Sequence, residues 1–109
     1  LNTKQRYSDM VSVMEEGIEK NPRDVNIRKY LIAAYLKTGK ETLAITHMKA
    51  ALELQPKDEE ILMQLARLYE KQNKTREALD AYRKALDLNP DNEDAEEAYL
   101  RLRLKTIGK

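Results

Sequence analysis

The three prolines of this chain, Pro22, Pro56 and Pro90, stand 34 residues apart. A residue with a fixed φ and no backbone N–H interrupts helices and strands alike, so equal spacing implies equal units between the interruptions. Laying residues 23–56 over 57–90 bears this out: Leu31 falls on Leu65, Tyr35 on Tyr69, Ala44 on Ala78, Ala51 on Ala85 and Leu54 on Leu88. A repeat of this length is one supersecondary unit that needs a neighbour to cover its apolar face.

Within each unit the apolar positions keep helical spacing and break once, at Thr38-Gly39-Lys40 and at Gln72-Asn73-Lys74. Each unit therefore reads as two helices joined by a turn. Gly39 and Asn73 are the residue types that most readily take the left-handed conformation closing a helix. Pro56 and Pro90 stop the second helix, and Asp24 and Asp58 are placed to cap the helix that follows. Composition agrees: 41% hydrophobic and 36% charged residues are too apolar a mixture for a disordered chain. Abundant Ala, Leu, Glu, Lys and Arg favour helix, and no stretch alternates Val, Ile and Thr as a strand would.

The period, the hairpin and these residues resemble the tetratricopeptide repeat. The second unit carries Leu62, Leu65, Ala66, Tyr69, Ala78, Tyr82, Ala85 and Pro90 at that pattern's offsets, and the first carries Leu31, Tyr35, Ala44, Met48, Ala51 and Pro56. The first departs from it at Arg28 and Ile32, which predicts altered packing at the start of its first helix. Extended backwards, the frame makes 3–20 the second helix of a truncated repeat, with Tyr7, Met10, Met14 and Pro22 in register and Gly17 at an alanine position. Extended forwards, it makes 91–107 a C-terminal capping helix with Ala95, Ala98, Tyr99 and Leu102 facing inward. The fold class implied for residues 1–109 is a single all-α domain, an α-α superhelix of antiparallel helix hairpins.

Several function classes find no residues to support them. Twenty Lys and Arg against nineteen Asp and Glu leave a formal charge of +1, so no strong field draws nucleic acid or an anionic membrane. The apolar run from Tyr30 to Leu36 is far shorter than the roughly 20 residues that span a bilayer, so no membrane insertion is expected. Zero cysteines remove disulfides and thiolate chemistry without deciding the compartment, with the cytoplasm favoured for a soluble domain. A lone His47 makes a poor metal site and reads as a packing or surface residue. Glu59 with Glu60, and Glu96 with Glu97, are adjacent on helices and diverge. Glycine-rich phosphate loops and nucleophile elbows are absent. The chain is therefore expected to be no enzyme and to need no cofactor or metal. The basic end, Arg101, Arg103, Lys105 and Lys109, reads as cations placed at a helix C-terminus, with RNA binding ranked last. The start at Leu1, with no methionine or signal-peptide pattern, suggests excision from a longer protein.

What remains is a surface for a protein or peptide. The resemblance implies that the first helices of successive hairpins line a concave groove. Off the core stripe stand Asn26, Lys29, Tyr30, Ala33 and Lys37 in the first repeat, and Glu60, Met63, Gln64, Arg67 and Lys71 in the second. Asp94, Glu97, Ala98 and Arg101 follow in the last helix. Tyr30 and Met63 are expected to supply apolar contact, and Lys29, Arg67 and Arg101 to bond acidic groups. Some family members grip a chaperone tail's terminal carboxylate with Lys, Asn, Asn, Lys and Arg. Here only Lys29 fits, because Ala33, Gln64, Asp94 and Ala98 fill the other places, so no such binding is expected. Leu100, Leu104 and Ile107 form a second apolar stripe, and the helix around Met10, Val11 and Met14 lacks its hairpin partner. Self-association as a homo-oligomer through the terminal helices is one alternative reading, and an accessory role within a larger protein is another.

Overall fold

The structure, a computed structural model, describes residues 3–107, with side chains from Arg6 onward. Leu1 and Lys109, which the reading of the two ends invoked, lie outside the described residues. Among the described residues six helices make up the fold: α1 (Thr3–Lys20), α2 (Val25–Lys37), α3 (Glu41–Leu54), α4 (Glu59–Lys71), α5 (Thr75–Leu88) and α6 (Glu93–Ile107). The all-α hairpin architecture is as the sequence implied. The chain divides into two compact units, Leu1–Pro56 and Lys57–Lys109. In the first, α2 packs on α1 and on α3; in the second, α5 packs on α4 and on α6.

The turns show why these helices end where they do. Gly39 has φ 76° and Asn73 has φ 61°. In that conformation the chain reverses, and the Lys40 N–H donates to the Tyr35 carbonyl at 2.8 Å while the Lys74 N–H donates to that of Tyr69 at 2.9 Å. Two orphan carbonyls at the ends of α2 and α4 are satisfied in the same way. At the N-termini, Asp24 accepts from the Ile27 N–H and Asp58 from the Ile61 N–H, each at 3.1 Å. Asn92 does the same for α6, accepting from the Ala95 N–H at 3.0 Å. The cap thus recurs with the period of the prolines, and its third instance was hidden because Asn replaces Asp.

Packing follows the repeat. Ala44, Ala51, Ala78 and Ala85 are fully buried, which lets paired helices approach while Leu31, Met48, Leu62 and Tyr82 fill the remaining space. Each such large side chain contributes about 1.5–3 kcal/mol by leaving water. Tyr99 departs from its expected inward place and is half-buried, although Ala95, Ala98 and Leu102 keep theirs.

Arg28 accounts for the irregular start of the first repeat. It stands where the second repeat has Leu62, and its Nε and Nη2 donate to the Pro22 carbonyl at 3.2 and 2.9 Å. Its Nη1 lies 3.1 Å from Nδ1 of His47. A guanidinium only donates, so Nδ1 accepts and the imidazole proton sits on Nε2, which lies 3.5 Å from Glu15. The Tyr35 hydroxyl donates to the same carboxylate, and the Tyr35 and His47 rings stack at 5.7 Å. His47 is only 8% exposed and is a packing residue. Burial holds its pKa below the ordinary value, and the Arg28 charge adds to that while Glu15 opposes it. Burial, then the hydrogen bond and charge of Glu15, push Tyr35 up to about 12.

Candidate functional site

One stripe of α4 (Met63, Arg67, Glu70) faces one stripe of α6 (Asp94, Glu97, Ala98, Arg101) across a pocket of about 380 Å³, with Tyr82 of α5 at its side. The spacing of three or four residues along each helix places these side chains on one face. Glu70 organises the pocket. Its Oε1 accepts from the Tyr82 hydroxyl at 2.9 Å, and its Oε2 pairs with Arg101. Burial works to raise the Glu70 pKa, but the hydrogen bonds from Arg101 and Tyr82 and the charges of Arg101 and Lys105 outweigh it, and the carboxyl titrates below its usual value. Burial and the bond to Glu70 push Tyr82 up to about 12. The bond to Glu70 raises Arg101 in turn. At the rim, Arg67 lies 3.9 Å from Asp94, whose side chain is 80% exposed. Deeper at the helix starts, Glu59 accepts from Asn92 at 2.7 Å and from Asn89 at 3.1 Å, holding α6 against α4.

Of the residues expected to line a groove, Met63, Arg67, Ala98, Arg101, Asp94 and Glu97 line this one pocket, and two features differ from the expectation. Met63 is only 6% exposed, so it belongs to the pocket floor and offers little free apolar surface. The two arginines are already answered by carboxylates of the same unit: the lining holds Glu70, Asp94 and Glu97 against Arg67 and Arg101. Such a pocket does not attract an acidic group. Sequence reasoning passed over Glu70, yet a signal existed, because Glu70 stands where the first repeat has Leu36. Glu60, Gln64 and Lys71 lie on α4 outside the pocket lining. In the first unit Asn26, Lys29, Tyr30, Ala33 and Lys37 lie on α2, with Tyr30 66% exposed. Lys37 lies beside a separate pocket lined also by Tyr7, Val11 and Tyr35. No described helix is long and apolar enough to cross a membrane.

Two models of the tetratricopeptide repeat match the sequence, over residues 59–92 and 25–68. Comparison with curated proteins gave no match. Among solved structures, the first repeat domain of Spaghetti (RPAP3), bound to the HSP90 peptide SRMEEVD, superposes with a TM-score of 0.76 at 17% identity, over 94% of this chain and 82% of that one. The MamA protein gives a TM-score of 0.81 at 20% identity, over 95% of this chain and 57% of that one. A thermophilic tetratricopeptide repeat protein of Thermus thermophilus, TTC0263, gives 0.73 at 30% identity, over 93% of this chain and 52% of that one. The chain thus spans little more than half of the last two.

Proposed function

The chain belongs to the tetratricopeptide repeat family, and on that premise we propose that it is a protein-interaction scaffold whose α4–α6 pocket takes a basic side chain of a partner polypeptide. The charge of the pocket carries this reading. Glu70 is committed to Arg101 and Tyr82, which leaves Asp94 and Glu97 at the rim. The long Arg67–Asp94 contact is between exposed groups and contributes little to stability, so a partner's cation displaces it cheaply. The network around Glu70 preorganises the lining and reduces the ordering cost of binding. In the first unit, exposed Tyr30, with Asn26, Lys29 and Ala33 beside it on α2, offers a second contact surface for a polypeptide.

Spaghetti (RPAP3) supports a peptide as the class of partner. An acidic peptide such as SRMEEVD is not the ligand on this reading, because its carboxylates would meet Asp94 and Glu97. The test is a peptide-display selection on the whole chain, counter-selected on the Asp94→Asn/Glu97→Gln variant. Enriched sequences should carry Lys or Arg beside an apolar residue. Micromolar binding of an acidic C-terminal peptide, or enrichment blind to the variant, would overturn the reading.

A second reading rests on the α6 stripe. Leu100, Leu104 and Ile107 are exposed, Leu104 at 70%, and a purely polar outer face would serve a cap better. On this reading the chain self-associates through its terminal helices. Leu100→Glu with Leu104→Glu should then dissolve oligomers in sedimentation and leave peptide binding in the pocket intact; a single monomeric species of the unmodified chain at all concentrations would exclude it.

A further inference from the structure

The second three-helix unit has another pocket, between α5 and α6, of about 200 Å³, lined by Arg76, Leu79, Asp80, Arg83, Tyr99 and Arg103. It shares no lining residue with the α4–α6 pocket, and its charge is opposite. Three arginines line it against one carboxylate. That carboxylate is divided, since Asp80 pairs with Arg83 at 3.2 Å and with Lys84 at 3.1 Å. Among the described residues no carboxylate pairs with Arg76 or Arg103, and both are exposed.

The scaffold does not ask for this arrangement. One period earlier, Arg83 corresponds to another cation, Lys49, but Arg76 corresponds to Thr42, Asp80 to Thr46 and Arg103 to Tyr69, so the repeat folds without the other two arginines. The dipole of α6 accounts for Arg103 near its C-terminus, but Arg76 sits in the first turn of α5, where that helix's own dipole disfavours a cation. Gathering like charges costs free energy unless an anion relieves it. Half-buried Tyr99 and Leu79 form an apolar wall. Three arginine forks lining one pocket suit the three terminal oxygens of a phosphate monoester, whereas a carboxylate has only two oxygens to share among them.

We propose that the Arg76, Arg83 and Arg103 pocket binds a phosphate monoester, presented by a phosphorylated serine or threonine of a partner polypeptide. A nucleic acid needs a track of cations along its backbone, whereas here the cations line one small pocket in a chain of net charge +1.

The test titrates the whole chain with a phosphoserine peptide of neutral sequence, its unphosphorylated form, inorganic phosphate and a single-stranded oligonucleotide, reading the arginine Nε–H resonances. The phosphopeptide should shift Arg76, Arg83 and Arg103 and bind at least about tenfold tighter than its unphosphorylated form. Arg76→Gln with Arg103→Gln should abolish that preference while circular dichroism reports an unchanged helix content. Equal response to inorganic phosphate and phosphopeptide would keep the phosphate chemistry and assign it to the free anion. Unmoved arginine resonances, or a preference that survives the double variant, would overturn the proposal. Tighter binding of the oligonucleotide through the same arginines would overturn the peptide as source.

Discussion

The Arg28 guanidinium donates to Nδ1 of His47 at 3.1 Å, an arrangement available only to the neutral imidazole. Protonation of Nδ1 would break that bond and set two cations against each other, with only Glu15 in opposition. Burial above all, with the Arg28 charge added to it, holds the folded-state pKa below the unfolded value of 6.5. As pH falls, the unfolded chain takes up this proton first. The stabilisation is complete above the unfolded pKa and is lost as pH drops through the folded one. Urea midpoints should fall between about pH 7.5 and pH 5.5, and His47→Gln should flatten that slope. An equal slope in both proteins would remove His47 as its cause.

Glu70→Ala leaves the buried Tyr82 hydroxyl without its acceptor, at an expected cost of about 1–3 kcal/mol. Arg67→Ala breaks only the exposed pair with Asp94 and should change stability by less than about 0.5 kcal/mol. Denaturant titrations of the two variants separate a structural network from a surface contact.

Ala85 is fully buried where helices of the second unit meet. Ala85→Leu should cost about 1–3 kcal/mol by overpacking. Ala33→Leu, on the exposed face of α2, should be close to neutral. An unchanged midpoint for the Ala85 variant would contradict the packing described.

Asn92 both caps α6 and donates to Glu59. Asn92→Ala should cost about 1 kcal/mol or more, and Asn92→Asp should retain the cap while placing two carboxylates face to face. Thermal melts that rank alanine no worse than the native residue would contradict the cap.

Much of this was legible in the residues because it repeats. Prolines, capping aspartates, the left-handed Gly39 and Asn73, and the four small alanines each occur at the same place in both repeats, and each acts locally. The polar clusters were harder to see because they join residues far apart in sequence that break the repeat. Arg28, His47 and Glu70 replace positions that are apolar or small in the other repeat, Leu62, Ala81 and Leu36, and a departure announces a change without naming its partner. Exposure of Lys29 and Tyr30 followed from helical periodicity. Burial of Met63 did not, because its place on α4 borders the core stripe. The sign of the pocket was legible only in part: Asp94 already spoke against a terminal carboxylate, but the pairing of Arg101 with Glu70 could not be read from the residues.

The most direct test of the central claim is the ratio of affinities of one selected basic peptide for the native chain and for Asp94→Asn/Glu97→Gln, measured by calorimetry. Two charge-assisted bonds at the rim predict weakening by about tenfold or more in the variant. Equal affinity for the two proteins would contradict recognition of a basic side chain in the α4–α6 pocket.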